Sequence, residues 1–236
     1  DLTGTLMYRQ DKGEFVVNKG PIFSSIILAD EINRAPAKVQ SALLEAMQER
    51  QVTIGKETFK LPDPFLVLAT QNPIEQEGTY PLPEAQLDRF MFNVILDYPA
   101  FKEEIQIVKQ TTSDYSASLN KVMDAEDIVF HQNILRKIPV NDNVIEYAVG
   151  LAAKTRPETD LASEKVQQYI SWGAGPRASQ FMILGAKCYA AIRGKYSPDI
   201  EDIKAVAKPI LRHRIIRNYK AEAEGISVDD IIDSIL

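Results

Sequence analysis

The sequence is poor in cysteine and histidine and has no long apolar run. Cys188 is the single cysteine in 236 residues, which excludes an internal disulfide and fits a reducing cytoplasm. With only two histidines beside it, the chain lacks the ligands of a structural zinc site. No apolar segment approaches the roughly 20 residues of a membrane-spanning helix. We therefore expect a cytoplasmic protein without a disulfide, a structural zinc ion or a membrane span.

Positive charge is also scarce. Lysine and arginine number 27 against 33 aspartates and glutamates, which gives a net charge of −6. An acidic chain is repelled by phosphate backbones and by acidic membrane surfaces, so nucleic acid is not an expected partner. The remaining composition, 45% hydrophobic and 25% charged, is that of a globular protein with one large domain or two modest ones.

Strand-like and helix-like patterns alternate in the first part of the chain. Two hairpins are predicted, one joining residues 5–8 to residues 14–17 and one turning at Gly55-Lys56. Between them, "PAKVQSALLEAMQER" predicts an amphipathic helix with Pro36 at its first position. Apolar strands are predicted at residues 26–29, 65–69 and 91–96. This alternation predicts a largely parallel α/β sheet, and we expect the first apolar strand to be buried on both faces.

The pattern changes near Pro99. A loop at residues 73–83 and a short helix ending in "LDRF" lead to the last apolar strand, and a helix is predicted at 102–110. After the polar connector "TTSDYSASLNK", only helical periodicity is found, at residues 125–136, 142–154, 163–171, 177–193, 199–212 and 227–235. The sequence therefore predicts part of an α/β domain over 1–99, a connector over 100–123 and a helical domain over 124–236.

Polar side chains follow two of the apolar strands. Asp30 and Glu31 come directly after the first strand, and Asn72 lies just beyond the second. Ligands of open α/β sheets bind outside the carboxyl ends of the strands, so we expect these side chains to face one crevice. An aspartate there suits Mg²⁺, a glutamate beside it can deprotonate an attacking water, and an amide can hold that water or a phosphate oxygen. Such a set favours phosphoryl transfer.

Two arginines add to this pattern. Arg89 ends the short "LDRF" helix, and Arg177 follows Gly175-Pro176, which mark the start of a helix. A cation in the first helical turn opposes the helix dipole at a cost of a few tenths to about 1 kcal/mol. An anionic partner such as a nucleotide phosphate would offset that cost.

Each of these features also has a structural explanation when it is taken alone. A strand that reaches the surface can end in carboxylates, Asn-Pro is a common turn, and arginines form surface ion pairs. Packing, surface or core positions are expected for His131, His213 and Cys188. A solvated or interface face is expected for the basic group Arg212, Arg214, Arg217 and Lys220. The order and spacing of the five candidate residues favour a nucleotide site.

Several segments resemble AAA+ ATPases, and among them the MoxR family closely. "IILADE" is similar to a Walker B motif, "FLVLATQNP" to the sensor 1 strand, "EGTYPLPEAQLDRF" to the arginine-finger segment and "GAGPRAS" to sensor 2. "DLTGTLMY…GEFVVNKGP" resembles the helix-2 insert hairpin, and "QVTIGKETFKLP" the hairpin before sensor 1. The resemblance covers essentially the whole chain. It implies α/β architecture: the C-terminal part of a parallel-sheet AAA+ P-loop NTPase core, followed by an all-α helical lid domain.

The resemblance also implies a role for each candidate residue. Asp30 would hold Mg²⁺ through water, Glu31 would be the catalytic base, and Asn72 would be the sensor 1 residue. Arg89 would be the arginine finger, and Arg177 would be the sensor 2 residue that contacts the nucleotide. The implied cofactors are ATP and Mg²⁺.

The phosphate-binding loop of this family does not occur in these residues. No G-x-x-x-x-G-K-[ST] motif is found in the sequence. By analogy with the family, the loop is expected N-terminal to residue 1, within roughly 80–100 further residues. We therefore expect the 236-residue chain by itself to bind ATP poorly and to be inactive.

For an intact protein the resemblance implies a ring, usually a hexamer, in which Arg89 acts on the nucleotide of the neighbouring subunit. It also implies chaperone-like remodelling or maturation of client protein complexes, with a von Willebrand factor A domain protein as partner and the hairpins as candidates for client contact. Other interpretations stay open. They are a magnesium-chelatase-like motor subunit, a nucleic-acid remodeller such as a helicase loader, and a non-catalytic interaction module.

Overall fold

The computed structural model describes residues 2–11, 13–72, 80–114 and 118–236. Its strands are β1 (Gly4–Arg9), β2 (Glu14–Lys19), β3 (Ile26–Ala29), β4 (Gln51–Ile54), β5 (Glu57–Lys60), β6 (Leu66–Ala69), β7 (Ile170–Trp172) and β8 (Ile216–Arg217). Its helices are α1 (Ala37–Glu49), α2 (Glu84–Leu87), α3 (Phe101–Thr111), α4 (Ala125–Lys137), α5 (Asp142–Lys154), α6 (Glu164–Tyr169), α7 (Pro176–Ile192), α8 (Ile200–Leu211), α9 (Tyr219–Ala223) and α10 (Val228–Asp233). Most of the loop predicted at 73–83, Lys12 in the first turn and part of the connector lie outside the described residues.

Both predicted hairpins are confirmed. β1 pairs with β2 in antiparallel register, and β4 pairs with β5 across a turn in which Gly55 has φ 65°. This left-handed backbone favours glycine because a Cβ atom clashes there. A side chain at position 55 would also collide with Leu6 of β1, so the glycine lets the two hairpins pack together.

β3 and β6 form a parallel pair, as predicted, with Ile26 opposite Leu66 and Ala29 opposite Ala69. The expectation that the first apolar strand is buried on both faces is wrong. Ile27 packs into a core with Leu43 and Leu44 of α1. The alternate side chains point the other way, because successive residues of a strand face opposite sides, and Leu28 is 65% exposed. In the part of the chain that the structure describes, α1 covers one face of this pair and no element covers the other.

The prediction of a strand at residues 91–96 is also wrong, because the structure describes these residues and has no strand there. A strand needs a neighbour to accept and donate its backbone hydrogen bonds, and here side chains and a helix end take that role. The Asn93 amide donates to Pro209 O at 2.7 Å, and Arg212 Nη1 donates to Asn93 O at 2.9 Å. This segment therefore runs along the end of α8 instead of joining the β3–β6 pair.

The helical part has its own core, in which α7 packs against α5 and α8. Gly185 of α7 permits a close approach, because a Cβ there would lie 3.3 Å from Val206 Cγ2 of α8. The expectation of helices alone after Asp124 is wrong in one respect. β7 pairs antiparallel with β8, and the short α9 follows. Elements of two to five residues are too short to show a periodicity. Within the described residues no helix is long and apolar enough to cross a membrane.

His213 lies where the helical part meets residues 88–93, and it supports a pH prediction. Burial, and then the adjacent positive charge of Arg214, lower the pKa of His213 from 6.5 to about 4. Because the folded pKa is below the unfolded value, the unfolded state takes up a proton first as the pH falls. The free energy of unfolding is therefore expected to decrease from about pH 6.5 to about pH 4, by up to about 3 kcal/mol.

His213 Nε2 lies 3.0 Å from Phe90 O and 2.8 Å from Arg214 Nη1. The variant His213→Gln offers an amide, with both a donor and an acceptor, to these partners and does not titrate. Urea unfolding between about pH 7 and about pH 4.5 should give a flatter dependence for this variant than for the wild type. His131→Gln, at an exposed position of α4, is the control for removal of a histidine. Equal slopes for wild type and His213→Gln would contradict the prediction.

Candidate functional site

The chain turns sharply where β3 ends. Asp30 is solvent exposed, and Glu31 adopts the left-handed conformation with φ 47° and ψ 51°. Such a backbone costs a residue with a side chain on the order of 1–3 kcal/mol and is found mostly at functional sites. A short 3₁₀ turn, Ile32–Arg34, follows and leads into α1. The strained turn projects two neighbouring carboxylates beyond the carboxyl end of the sheet.

Thr70, directly after β6, holds this turn in place. Its hydroxyl accepts from the Glu31 amide at 2.8 Å and donates to Asp30 Oδ1 at 2.5 Å. Its backbone carbonyl accepts from the Ile32 amide at 3.0 Å. The sequence reasoning missed this residue, although its position between an apolar strand and Asn72 was a usable signal.

Asn72 belongs to the same edge of the sheet. Its backbone carbonyl accepts from Asn33 Nδ2 at 3.4 Å, which joins the segment after β6 to the turn after β3. Glu31 Oε2 lies 3.2 Å from Arg34 Nη1, and both side chains are more than a third exposed. An exposed pair of this kind contributes about 0–1 kcal/mol and is weakened by salt. The structure therefore places Asp30, Glu31 and Asn72 at the same edge of the sheet. The Glu31 side chain is held there by a weak, exposed ion pair with Arg34.

The surroundings of Asp30 fit a hydrated Mg²⁺. The carboxylate is exposed, and Thr70 places a hydroxyl beside it. Mg²⁺ keeps several of its waters and is usually held by one or two carboxylates together with substrate phosphates. Among the described residues no three His, Cys, Asp or Glu side chains form a metal-binding group. Asp30 would therefore contact such an ion through water.

The Arg89 side chain makes its hydrogen bond to α1 and not to the turn that carries Asp30 and Glu31. Its Nη1 donates to Leu44 O of α1 at 2.8 Å. The side chain lines an open cleft of about 530 Å³ together with Ser41, Leu44, Glu45, Gln48, Glu49, Gln51 and Gln86. The predicted arginine finger therefore lies along α1 of its own chain, where it is partly exposed.

Arg177 is in the first turn of α7, as predicted, and has an anionic partner within the chain. Its Nη1 donates to Asp88 Oδ2 at 2.5 Å. The other oxygen, Asp88 Oδ1, accepts from Arg214 Nε at 2.8 Å. Asp88 thus offsets the unfavourable position of Arg177 at the positive end of the helix.

Asp88 and Arg214 are the residues of this region that the sequence reasoning missed. Arg214 was expected on a solvated or interface face, but its side chain is only 1% exposed. A buried arginine is stable only when its donors find acceptors. Except for Ile210 O, those acceptors come from residues more than 120 positions away in the sequence, so no local pattern could reveal them.

Comparisons with known proteins assign this fold. A model of the "ATPase family associated with various cellular activities (AAA)" matches residues 1–92, and a model of the "AAA lid domain" matches residues 162–235. The protein named "Chaperone MoxR1" from Mycobacterium tuberculosis is 43% identical over 236 residues, which are all of this chain and 62% of that protein. YeaC of Bacillus subtilis is 40% identical over 237 residues, 100% of this chain and 71% of YeaC. The chain belongs to the MoxR family of AAA+ ATPases.

A solved structure agrees with this assignment. The crystal structure of a Cytophaga hutchinsonii protein assigned as an ATPase matches this chain with a TM-score of 0.92 and 48% sequence identity. The match covers 100% of this chain and 72% of the Cytophaga chain. The predicted fold, an AAA+ parallel sheet with a helical lid, is therefore confirmed. The chain spans less than two thirds of the length of MoxR1.

The role of Thr70 in this MoxR-family chain can be tested by changing its hydroxyl. Thr70→Val keeps the shape but removes the hydrogen bonds to Asp30 and to the Glu31 amide. The free energy of unfolding should fall by about 1–2 kcal/mol, because two exposed hydrogen bonds are lost and the strained turn is no longer held. Urea unfolding measures this change. Thr70→Ser keeps the hydroxyl and is the matched control, so a loss as large in Thr70→Ser as in Thr70→Val would contradict the assignment.

Proposed function

We propose that the whole protein is a MoxR-type ATPase that hydrolyses ATP with Mg²⁺ and uses the energy for chaperone-like remodelling or maturation of protein complexes. The observation that carries the proposal is the turn after β3. There a strained Glu31 and an exposed Asp30 are held by one hydroxyl, that of Thr70. The name of one relative, a chaperone, supports the remodelling part.

The proposed chemistry divides among the candidate residues. Asp30 holds hydrated Mg²⁺ against the phosphates, and Glu31 takes a proton from the attacking water. Asn72 orients that water or a phosphate oxygen. Arg177 contacts the nucleotide after exchanging Asp88 for phosphate. MgATP supplies the transferable phosphoryl group, and the residues of this chain supply position and charge.

The proposed assembly is a ring, usually a hexamer, in a cytoplasmic protein. Arg89 then neutralises charge on the nucleotide of the adjacent subunit. The Arg89 side chain bonds α1 and not Asp30 or Glu31 of the same chain, which supports a role at the nucleotide of another subunit.

The proposed domains are the α/β core over 1–99, the connector over 100–123 and the helical lid over 124–236. Two separate buried clusters, one in each of the outer ranges, support this division.

The proposed partners are a client protein and a von Willebrand factor A domain protein. Support for a client contact comes from the first hairpin, where Tyr8 and Phe15 form an aromatic pair with centroids 5.1 Å apart. Both side chains are more than half exposed. Exposed aromatic side chains are favoured at protein interfaces, since they bury a large area with few rotatable bonds.

Glu31→Gln in the full-length protein is the primary test of the proposed function. Removing the base should abolish ATP hydrolysis, while ATP binding should stay within a few fold of the wild type, because the amide keeps the shape of the side chain. Phosphate release measures turnover, and calorimetry measures ATP binding. Glu146→Gln, at an exposed position of α5, is the control and should hydrolyse ATP at the wild-type rate. Wild-type turnover in Glu31→Gln would remove Glu31 from the role of base.

A mixing experiment tests whether Arg89 acts between subunits. Arg89→Ala alone should lose hydrolysis, since arginine fingers contribute on the order of 10³–10⁵ in rate. When this variant is mixed with Glu31→Gln, some rings contain an intact Glu31 opposite an intact Arg89, and part of the activity should return. If the mixture hydrolyses ATP no faster than the two variants measured separately, the arginine does not act in trans.

A further inference from the structure

Arg214 is a buried residue whose hydrogen bonds go mainly to the segment that carries Arg89. Its Nε donates to Asp88 Oδ1 at 2.8 Å. Its Nη2 donates to Asp88 O at 2.7 Å and to Phe90 O at 2.6 Å. Its Nη1 donates to Met91 O at 3.3 Å and to Ile210 O. Arg214 Nη1 also lies 2.8 Å from His213 Nε2, so six polar atoms face the five N–H donors of the guanidinium and every donor has a partner.

These hydrogen bonds hold the backbone before and after residue 89, and we call the bonds to Asp88 O and Phe90 O the bracket. The carbonyls of Asp88 and Phe90 belong to the residues on either side of Arg89, and one nitrogen, Arg214 Nη2, holds both of them. The direction of a side chain follows from the peptide units that flank its Cα. The Asp88 carbonyl belongs to the peptide unit directly before the Arg89 Cα, and the Phe90 carbonyl belongs to the second unit after it. Arg214 therefore fixes the chain directly before residue 89 and again one residue beyond it, and from there the Arg89 side chain reaches Leu44 O.

The same guanidinium is fixed to the helical part. Arg214 lies just after α8 and bonds Ile210 O near the end of that helix. Its guanidinium carbon is 5.1 Å from the ring centroid of Phe181 on α7. Arg177 of α7 shares the Asp88 carboxylate with it. A displacement of α7 or α8 would therefore move the peptide unit before Arg89 and the one that follows Phe90.

We infer that Arg214 is a positioning residue for Arg89, and that through it the helical lid sets the direction of the arginine finger in the same subunit. The functional part of this inference rests on the proposed function, in which Arg89 acts on ATP bound by the next subunit. The structural part, that Arg214 orders residue 89, stands on the hydrogen bonds alone.

The structural part is tested with a spin label at position 89 of the full-length protein. Arg89→Cys is labelled in a Cys188→Ala background, which removes the single thiol of these 236 residues, and any cysteine elsewhere in the full-length protein is changed to serine. Adding Arg214→Lys should raise the mobility of the label severalfold, since an ammonium has three donors on a flexible stem where the planar guanidinium holds five acceptors at once. Arg212→Lys is the matched control. Arg212 bonds Asn93 O and Asp229 and makes no bracket around residue 89, so the spectrum should stay unchanged.

Unchanged label mobility in Arg214→Lys, or an equal change in Arg212→Lys, would overturn the inference. Near-ultraviolet circular dichroism checks that each variant is folded. Phe181→Leu is the second variant in case Arg214→Lys does not fold. It removes the ring beside the guanidinium and keeps every hydrogen bond of the bracket, so it should raise the mobility in the same direction by a smaller factor.

The functional part is tested by ATP hydrolysis. Arg214→Lys should lower kcat by about 100-fold, because a misplacement of about 1 Å costs that much. The KM for ATP should stay within about twofold, because the finger stabilises charge that develops in the transition state and contributes little to binding of the ground state. The double variant Arg89→Ala/Arg214→Lys should be no slower than Arg89→Ala, and mixing Arg214→Lys with Glu31→Gln should restore part of the activity.

Two outcomes separate the inference from the proposed function. If Arg89→Ala keeps only a residual rate and adding Arg214→Lys slows that residual rate by the full 100-fold, the inference fails and the role of Arg89 stands. If Arg89→Ala hydrolyses ATP at the wild-type rate, the proposed role of Arg89 fails, whatever the label at position 89 reports.

Discussion

The buried guanidinium of Arg214 is the constraint on which the junction of the two parts depends. A positive charge with a 1% exposed side chain must satisfy all its donors within the protein, since losing one partner of a buried charge costs several kcal/mol. The carboxylate of Asp88 and the backbone carbonyls after it are those partners. The segment beyond Arg89 is consequently tied to α8, and Arg212 and the Asn93 amide extend the same attachment.

A second constraint operates at the carboxyl end of the β3–β6 pair. Glu31 is held in a costly backbone conformation, and the hydroxyl and carbonyl of Thr70 satisfy the two amides of that turn. The result is a rigid backbone with exposed carboxylates. Rigid placement of charge before the substrate arrives is what phosphoryl transfer requires, because the protein contributes mainly position and electrostatics.

Asp88 links Arg177 of α7 to the buried Arg214 through charge. Each of its carboxylate oxygens has its own arginine, Arg177 on one and Arg214 on the other. A more strongly charged anion, such as a phosphate, can therefore take Arg177 without leaving the buried Arg214 unpaired. Arg177 is more than a third exposed and can move, whereas Arg214 is enclosed. The proposed role of Arg177 at the nucleotide is compatible with this arrangement, because the attachment of Arg214 beside Arg89 does not depend on Arg177.

The sequence by itself determined the local elements and the identity of the carboxylate pair. Turn residues predicted both hairpins, and apolar periodicity predicted α1, α5, α7 and α8, because these signals depend on neighbours in the chain. Only the tertiary structure decided what is exposed and what is paired. The strand predicted at 91–96 did not form because acceptors and donors from α8 and Arg212 took its backbone groups. The partner of Arg177 and the burial of Arg214 likewise depend on Asp88, which lies 89 and 126 residues away. Contacts over such distances leave no periodic trace in a single sequence, since only folding brings these residues together.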